Sequence, residues 1–161
     1  MNRFKTCAYG ALISLFLYGC SSAKNTPMTL PTIALYGQNG AIELNCRVPL
    51  TAGNHPFGKT NTCKKDVNHH FVIENPREGI IFTFFAQQDC NPNAVDEGDK
   101  GFIKYEIVDP IPGQPTLMTS IDIGRGSPPG TEVVAGIRVV NAPVSLPPVS
   151  GRNRCISVDI R

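Results

Sequence analysis

Gly79-Ile80-Ile81-Phe82-Thr83-Phe84-Phe85 is dense in β-branched and aromatic residues and ends abruptly on polar ones. Such side chains suit a pleated backbone, and the run is too short for an ordinary core helix. Successive residues of a strand point to opposite faces. Ile80, Phe82 and Phe84 therefore share one face, and Ile81, Thr83 and Phe85 the other. Both faces are largely apolar, so the segment is expected to be a central strand, covered on both sides and at the heart of the core.

The rest of the chain repeats this grammar with shorter runs divided by Gly, Pro and Asn clusters. In Ile42-Glu43-Leu44-Asn45-Cys46-Arg47-Val48 strict alternation predicts that Ile42, Leu44, Cys46 and Val48 face inward. Gly37-Gln38-Asn39-Gly40 precedes it, and Asn-Gly supplies the positive φ angles of a tight hairpin. Ile156, Val158 and Ile160 alternate up to Arg161. Strands are expected at Thr32–Tyr36, Ala41–Val48, His70–Glu74, Gly79–Phe85, Gly101–Val108, Leu117–Ile123, Glu132–Val140 and Cys155–Ile160. About eight short strands predict an all-β fold, a Greek-key-like β-sandwich stapled by disulfides. Long proline-bearing connections at Pro49–Asn68, Pro110–Thr116 and Ala142–Arg154 are either binding loops or ordered coil lying on the sheets.

The first residues follow another logic. Arg3 and Lys5 precede an apolar run from Ala11 to Tyr18, far short of the roughly 20 residues that span a bilayer. The run ends in Leu17-Tyr18-Gly19-Cys20, which resembles the lipobox of bacterial lipoproteins. That resemblance implies a signal peptide over 1–19, cleavage before Cys20, and acylation of the Cys20 sulfur and amino group. Ser21 directly after it implies an outer-membrane address, with the domain held by its lipid and facing the periplasm. Residues 20–31 are small and polar, the composition of a tether, and residues 32–161 form a single domain. The competing reading is an ordinary cleaved secretory signal, which also exports the domain.

Removing Arg3 and Lys5 from the fifteen basic residues leaves thirteen, equal to the acidic count, so the mature domain is formally neutral. It lacks the basic footprint of a nucleic-acid binder. With Cys7 in the signal and Cys20 acylated, Cys46, Cys63, Cys90 and Cys155 remain, an even set suited to disulfides in an oxidising compartment. Three connectivities are open. Cys46 with Cys155 and Cys63 with Cys90 is favoured, because the first would tie an early strand to the last. No pair has the close spacing of a zinc site.

No constellation points to catalysis, to a metal or to a cofactor. His69 and His70 are adjacent and would face opposite sides of a strand, and His55 stands alone. Ser127, in Gly-Arg-Gly-Ser-Pro-Pro-Gly, lacks the nucleophile-elbow pattern and reads as a turn. The acidic loop 89–100 puts Lys100 where an EF-hand needs its bidentate glutamate. Asp66, His70, Asp96, Glu97 and Asp99 would suggest a glycan-active enzyme only if they met in one cleft. From Cys63 to Val108 the order of strand, Asn75-Pro76-Arg77-Glu78-Gly79, aromatic strand and Asp/Asn-rich loop resembles a βγ-crystallin-type Greek-key motif, without that family's calcium signature. This implies a fold alone. The expected function is non-enzymatic binding of another envelope or secreted protein, as an inhibitor or immunity protein or as an accessory subunit of a secretion, pilus or conjugation machine. The alternative is a cell-wall or glycan-binding protein.

Overall fold

The computed structural model describes residues 29–38, 43–91 and 101–161. The signal, Cys20, most of the tether, the Asn39-Gly40 turn and Asp96, Glu97 and Asp99 lie outside these residues. The fold is all-β: β1 (Thr32–Tyr36), β2 (Leu44–Pro49), β3 (Gly53–Pro56), β4 (His70–Glu74), β5 (Ile80–Phe85), β6 (Phe102–Ile107), β7 (Thr119–Ser120), β8 (Glu132–Val134), β9 (Ile137–Asn141) and β10 (Cys155–Ile160). They form two open antiparallel sheets, a smaller one in the order β2-β1-β4-β7 and a larger one in the order β3-β10-β5-β6-β9-β8. The expected β1–β2 pairing is present, with Ile33 opposite Val48 and Leu35 opposite Cys46. The stretch from Cys63 to Val108 spans both sheets, with β4 in the smaller and β5 and β6 in the larger.

β5 is central in the larger sheet, and all six of its residues are buried. Its inner face presents Phe82 and Phe84, which meet Phe71 of the smaller sheet at ring-centroid distances of 5.6 and 5.3 Å. Tyr105 of β6 closes the cluster, 5.9 Å from Phe71 and 5.6 Å from Phe82. Such ring pairs add about 0.5–1.5 kcal/mol each beyond their buried area. Among the described residues the outer face of β5 is covered by long side chains of neighbouring strands. Lys104 reaches Asp159 (3.6 Å), and Glu106 takes Arg138 (2.7 Å) and Arg161 (3.0 Å). By register Lys104 and Glu106 stand beside Thr83 and Ile81, so charged side chains bury that face with their aliphatic stems. A rim of Phe85, Phe102, Cys90 and Cys155 completes the cover.

The cysteines pair as Cys46–Cys63 and Cys90–Cys155, which corrects the favoured connectivity. Strand parity is the reason. Ile156 and Val158 belong to the inner core, so Cys155 points to the outer face, opposite Phe85. Cys46 points inward from β2, within the inner core. The two cysteines therefore lie on opposite sides of the larger sheet. By loop-closure entropy, cross-links spanning 17 and 65 residues contribute roughly 3 and 4 kcal/mol.

Three elements depart from expectation. β3 is built from Gly53-Asn54-His55-Pro56, poor strand formers, and forms because β10 offers a free edge, where proline is tolerated. The expected strand Glu132–Val140 folds into the hairpin β8–β9, since Gly136 adopts φ 80°. The expected strand Leu117–Ile123 shrinks to Thr119–Ser120, because the Tyr105 hydroxyl draws the following backbone into a turn. It donates to Ile121 O (2.8 Å) and accepts from Gly124 N (3.1 Å). A Cβ on Gly124 would lie 2.5 Å from Val139 Cγ2, so only glycine allows this approach. Pro128-Pro129-Gly130 is a turn as expected, with Thr131 N donating to Pro128 O (3.2 Å) and Gly130 at φ 90°.

Tyr105→Phe leaves Ile121 O and Gly124 N unpartnered in the core and is expected to cost about 1–3 kcal/mol in urea unfolding. Burial, aided by Asp122, pushes the Tyr105 phenol above its ordinary range despite the opposing Gly124 hydrogen bond. The folded chain thus holds that proton more tightly than the unfolded one. Its contribution is full below about pH 10 and declines above it. Alkaline unfolding curves should show this decline in the native protein and lack it in Tyr105→Phe.

Candidate functional site

A groove of about 400 Å³ opens at the end of the smaller sheet where β1 finishes and β2 begins, lined by Gly37, Gln38, Glu43, Leu44, Asn45, Lys64, Asp66, Val67 and His69. Its origin is a β-bulge. Leu35 pairs with Cys46 but Tyr36 pairs with Leu44, so Asn45 is the extra residue. A bulge re-aims neighbouring side chains. Leu44, expected inside with Cys46 and Val48, is instead 40% exposed, and Val67 across the groove is 39% exposed.

Asn45 uses its freedom to hold the far wall. Its Nδ2 donates to Asn68 Oδ1 (2.7 Å) and Lys64 O (3.2 Å), and its Oδ1 accepts from Lys64 N (3.3 Å). Asn68, fully buried, donates in turn to Lys64 O (3.1 Å). The Cys46–Cys63 disulfide ties the same two segments one residue away on each side. Asp66 sits at φ 59°, a region Asp tolerates better than most side chains. Both its carboxylate oxygens accept from Arg154 Nε (2.9 and 3.1 Å). The segment also covers the edge of β2 that would otherwise be open to strand addition.

A second latch holds the wall from behind. Asp122 accepts from the backbone N–H groups of Val149 and Ser150 (2.9 Å each), and Gly151 N donates to Asn68 O (2.7 Å). Gly151 has φ 72°, and a Cβ there would lie 2.7 Å from His69 Cε1. Arg125 reaches Val144 O (3.0 Å) and Leu146 O (2.8 Å). The connection Ala142–Arg154 is therefore ordered coil, one of its two expected forms. Pro49–Asn68 divides between β3 and the groove wall.

Among the described residues the candidates do not converge as a catalytic set. His55 Nε2 is hydrogen-bonded to Thr51 O (2.8 Å) and His70 Nδ1 to Gly37 O (3.3 Å), while Asp66 is engaged by Arg154. His69 Nδ1 lies 2.9 Å from Ser150 Oγ, a pair that sequence spacing concealed. Asp122 commits both oxygens to backbone N–H groups instead of orienting that imidazole, so it docks a loop where a triad would steer a base. Among the described residues no group of three His, Cys, Asp or Glu could hold a metal ion, and no helix is long and apolar enough to cross a membrane. The groove presents two exposed apolar side chains, Leu44 and Val67, among Glu43, Lys64, Asp66 and His69. Glu43, Leu44, Asn45, Lys64 and Val67 were missed because their common location follows from the bulge and the Cys46–Cys63 link.

Asn68→Ala should remove the hydrogen bonds from Asn45 Nδ2 to Asn68 Oδ1 and from Asn68 Nδ2 to Lys64 O and cost about 1–3 kcal/mol, with faster amide hydrogen exchange over residues 63–69. Removing Cys46 and Cys63 together, as serines, should loosen the same segment, whereas the Cys90→Ser, Cys155→Ser pair should leave its protection intact. Comparison of the chain with protein-family models, with curated proteins and with solved structures returned no match.

Proposed function

We propose that this chain is a non-enzymatic, lipid-anchored envelope protein that binds another protein through the groove beside the Asn45 bulge. The observation that carries the reading is the pair Leu44 and Val67, held open to solvent in a groove pinned by a disulfide and an amide network. Large apolar side chains kept exposed and ringed by charge are characteristic of protein-recognition sites. The rigidity of the walls lowers the ordering cost of association. Two disulfides suit the oxidising compartment that the lipobox-like start implies. The partner is another envelope or secreted protein, either an enzyme or effector that this chain occludes or a component of a surface machine that it joins.

The test is an affinity pull-down of the full lipoprotein from gently solubilised envelopes under non-reducing conditions, compared with L44D/V67D. The native protein should retain one stoichiometric partner, and the variant should lose about tenfold or more in affinity with an unchanged melting temperature, both side chains being exposed. Absence of any partner after chemical cross-linking would overturn the binding reading in favour of a cell-wall or glycan ligand. Cys20→Ala should release the protein from the membrane fraction; its retention there would overturn the lipid anchor.

A further inference from the structure

The opposite end of the sandwich carries a second groove of a different character. It measures about 220 Å³ and is walled by Leu30, Pro31, Leu50, Ile80, Ile160 and Arg77, among others. Leu30 and Ile160 project from it at 59% and 57% exposure. Strand direction fixes its place. β1 starts beside this groove and ends at Gly37 in the first one, while β5 starts here and β10 ends here. A five-residue strand rises roughly 17 Å, so the two grooves stand at opposite poles.

The chain joins the domain at the apolar pole. Thr29 O accepts from Arg77 Nη2 (3.3 Å) and Pro31 O from Leu50 N (2.9 Å). From Cys20 to Thr29 the backbone extends at most roughly 30 Å. Resting on the lipid-anchored reading above, we infer that this pole lies against the phospholipid surface, with Leu30 and Ile160 entering the interfacial region around the groove. Arg77 and Glu78 both line the groove and Arg161 is paired with Glu106, so the contact with the bilayer rests on the apolar side chains and not on charge. The occupant is the bilayer because the chain leading from the anchor enters the domain at this pole. One consequence is orientation: the Leu44–Val67 groove then faces away from the membrane, toward a partner in the periplasm.

The test uses the full lipidated chain reconstituted in vesicles of phosphatidylethanolamine and phosphatidylglycerol, with and without brominated acyl chains. An environment-sensitive fluorescent amino acid replaces Leu30, Ile160, Leu44 or Val67 in turn, and mass spectrometry establishes acylation of Cys20. Brominated lipid should quench the probe at positions 30 and 160 several-fold more than at 44 and 67, and Ile160→Asp should lower quenching at position 30 to the level of position 44. Equal quenching at all four positions in acylated protein would overturn the docking while leaving the anchor intact. Protection of positions 30 and 160 by self-association, without quenching, would overturn it in favour of a second copy of the chain. An unacylated Cys20 would overturn the anchor and the docking together.

Discussion

The sandwich hangs on one contact across its two layers: Phe71, contributed by the smaller sheet, seated among Phe82, Phe84 and Tyr105 of the larger. The chain has no tryptophan, and these four rings are, with Phe57, the largest fully buried side chains among the described residues. Tyr105 does more than fill space. Its hydroxyl sits between Ile121 O and Gly124 N, which bends the chain after β7 into the turn that sets Asp122. Asp122 in turn holds Val149 and Ser150. A buried phenol is costly without partners, and satisfying it organises the loop that backs the groove.

The groove itself is a local departure from regularity that the surrounding structure stabilises. One extra residue in β2 turns Leu44 to solvent and frees the Asn45 amide. The fully buried Asn68 and the Cys46–Cys63 link then hold residues 63–68 across the strand edge. Edge strands invite unwanted pairing, and here the cover over that edge is also the wall of the proposed recognition surface. The same economy appears on the outer face of β5, where the Glu106 and Lys104 ion pairs cover apolar side chains.

The two grooves divide the molecule by polarity along the β1 direction. Charged and amide side chains predominate at one pole, and Leu30, Leu50, Ile80 and Ile160, beside Arg77 and Glu78, gather at the other. With the apolar pole against a surface, that separation directs the polar groove away from it.

Local features of the sequence carried the all-β class, the central place of β5, the β1–β2 pairing and the turn at Pro128-Pro129-Gly130, because periodicity and turn chemistry act over a few residues. The alternation of Ile156 and Val158 even argued against a Cys46–Cys155 bond, since it turns Cys155 away from the face that Cys46 occupies, but it left two of the three connectivities for the folded chain to decide. Other features exist only in three dimensions. β3 needed the edge of β10, the shortening of β7 needed the Tyr105 hydroxyl, and the exposure of Leu44 needed a bulge that alternation cannot foresee. His69 and Ser150 stand 81 residues apart in the chain. Strand identity in β1, β4, β5, β6 and β10 is thus settled by the residues themselves, through backbone preference and side-chain period. The grooves arise from which distant strand ends meet, a matter of long-range burial and hydrogen-bond satisfaction that only the folded chain decides.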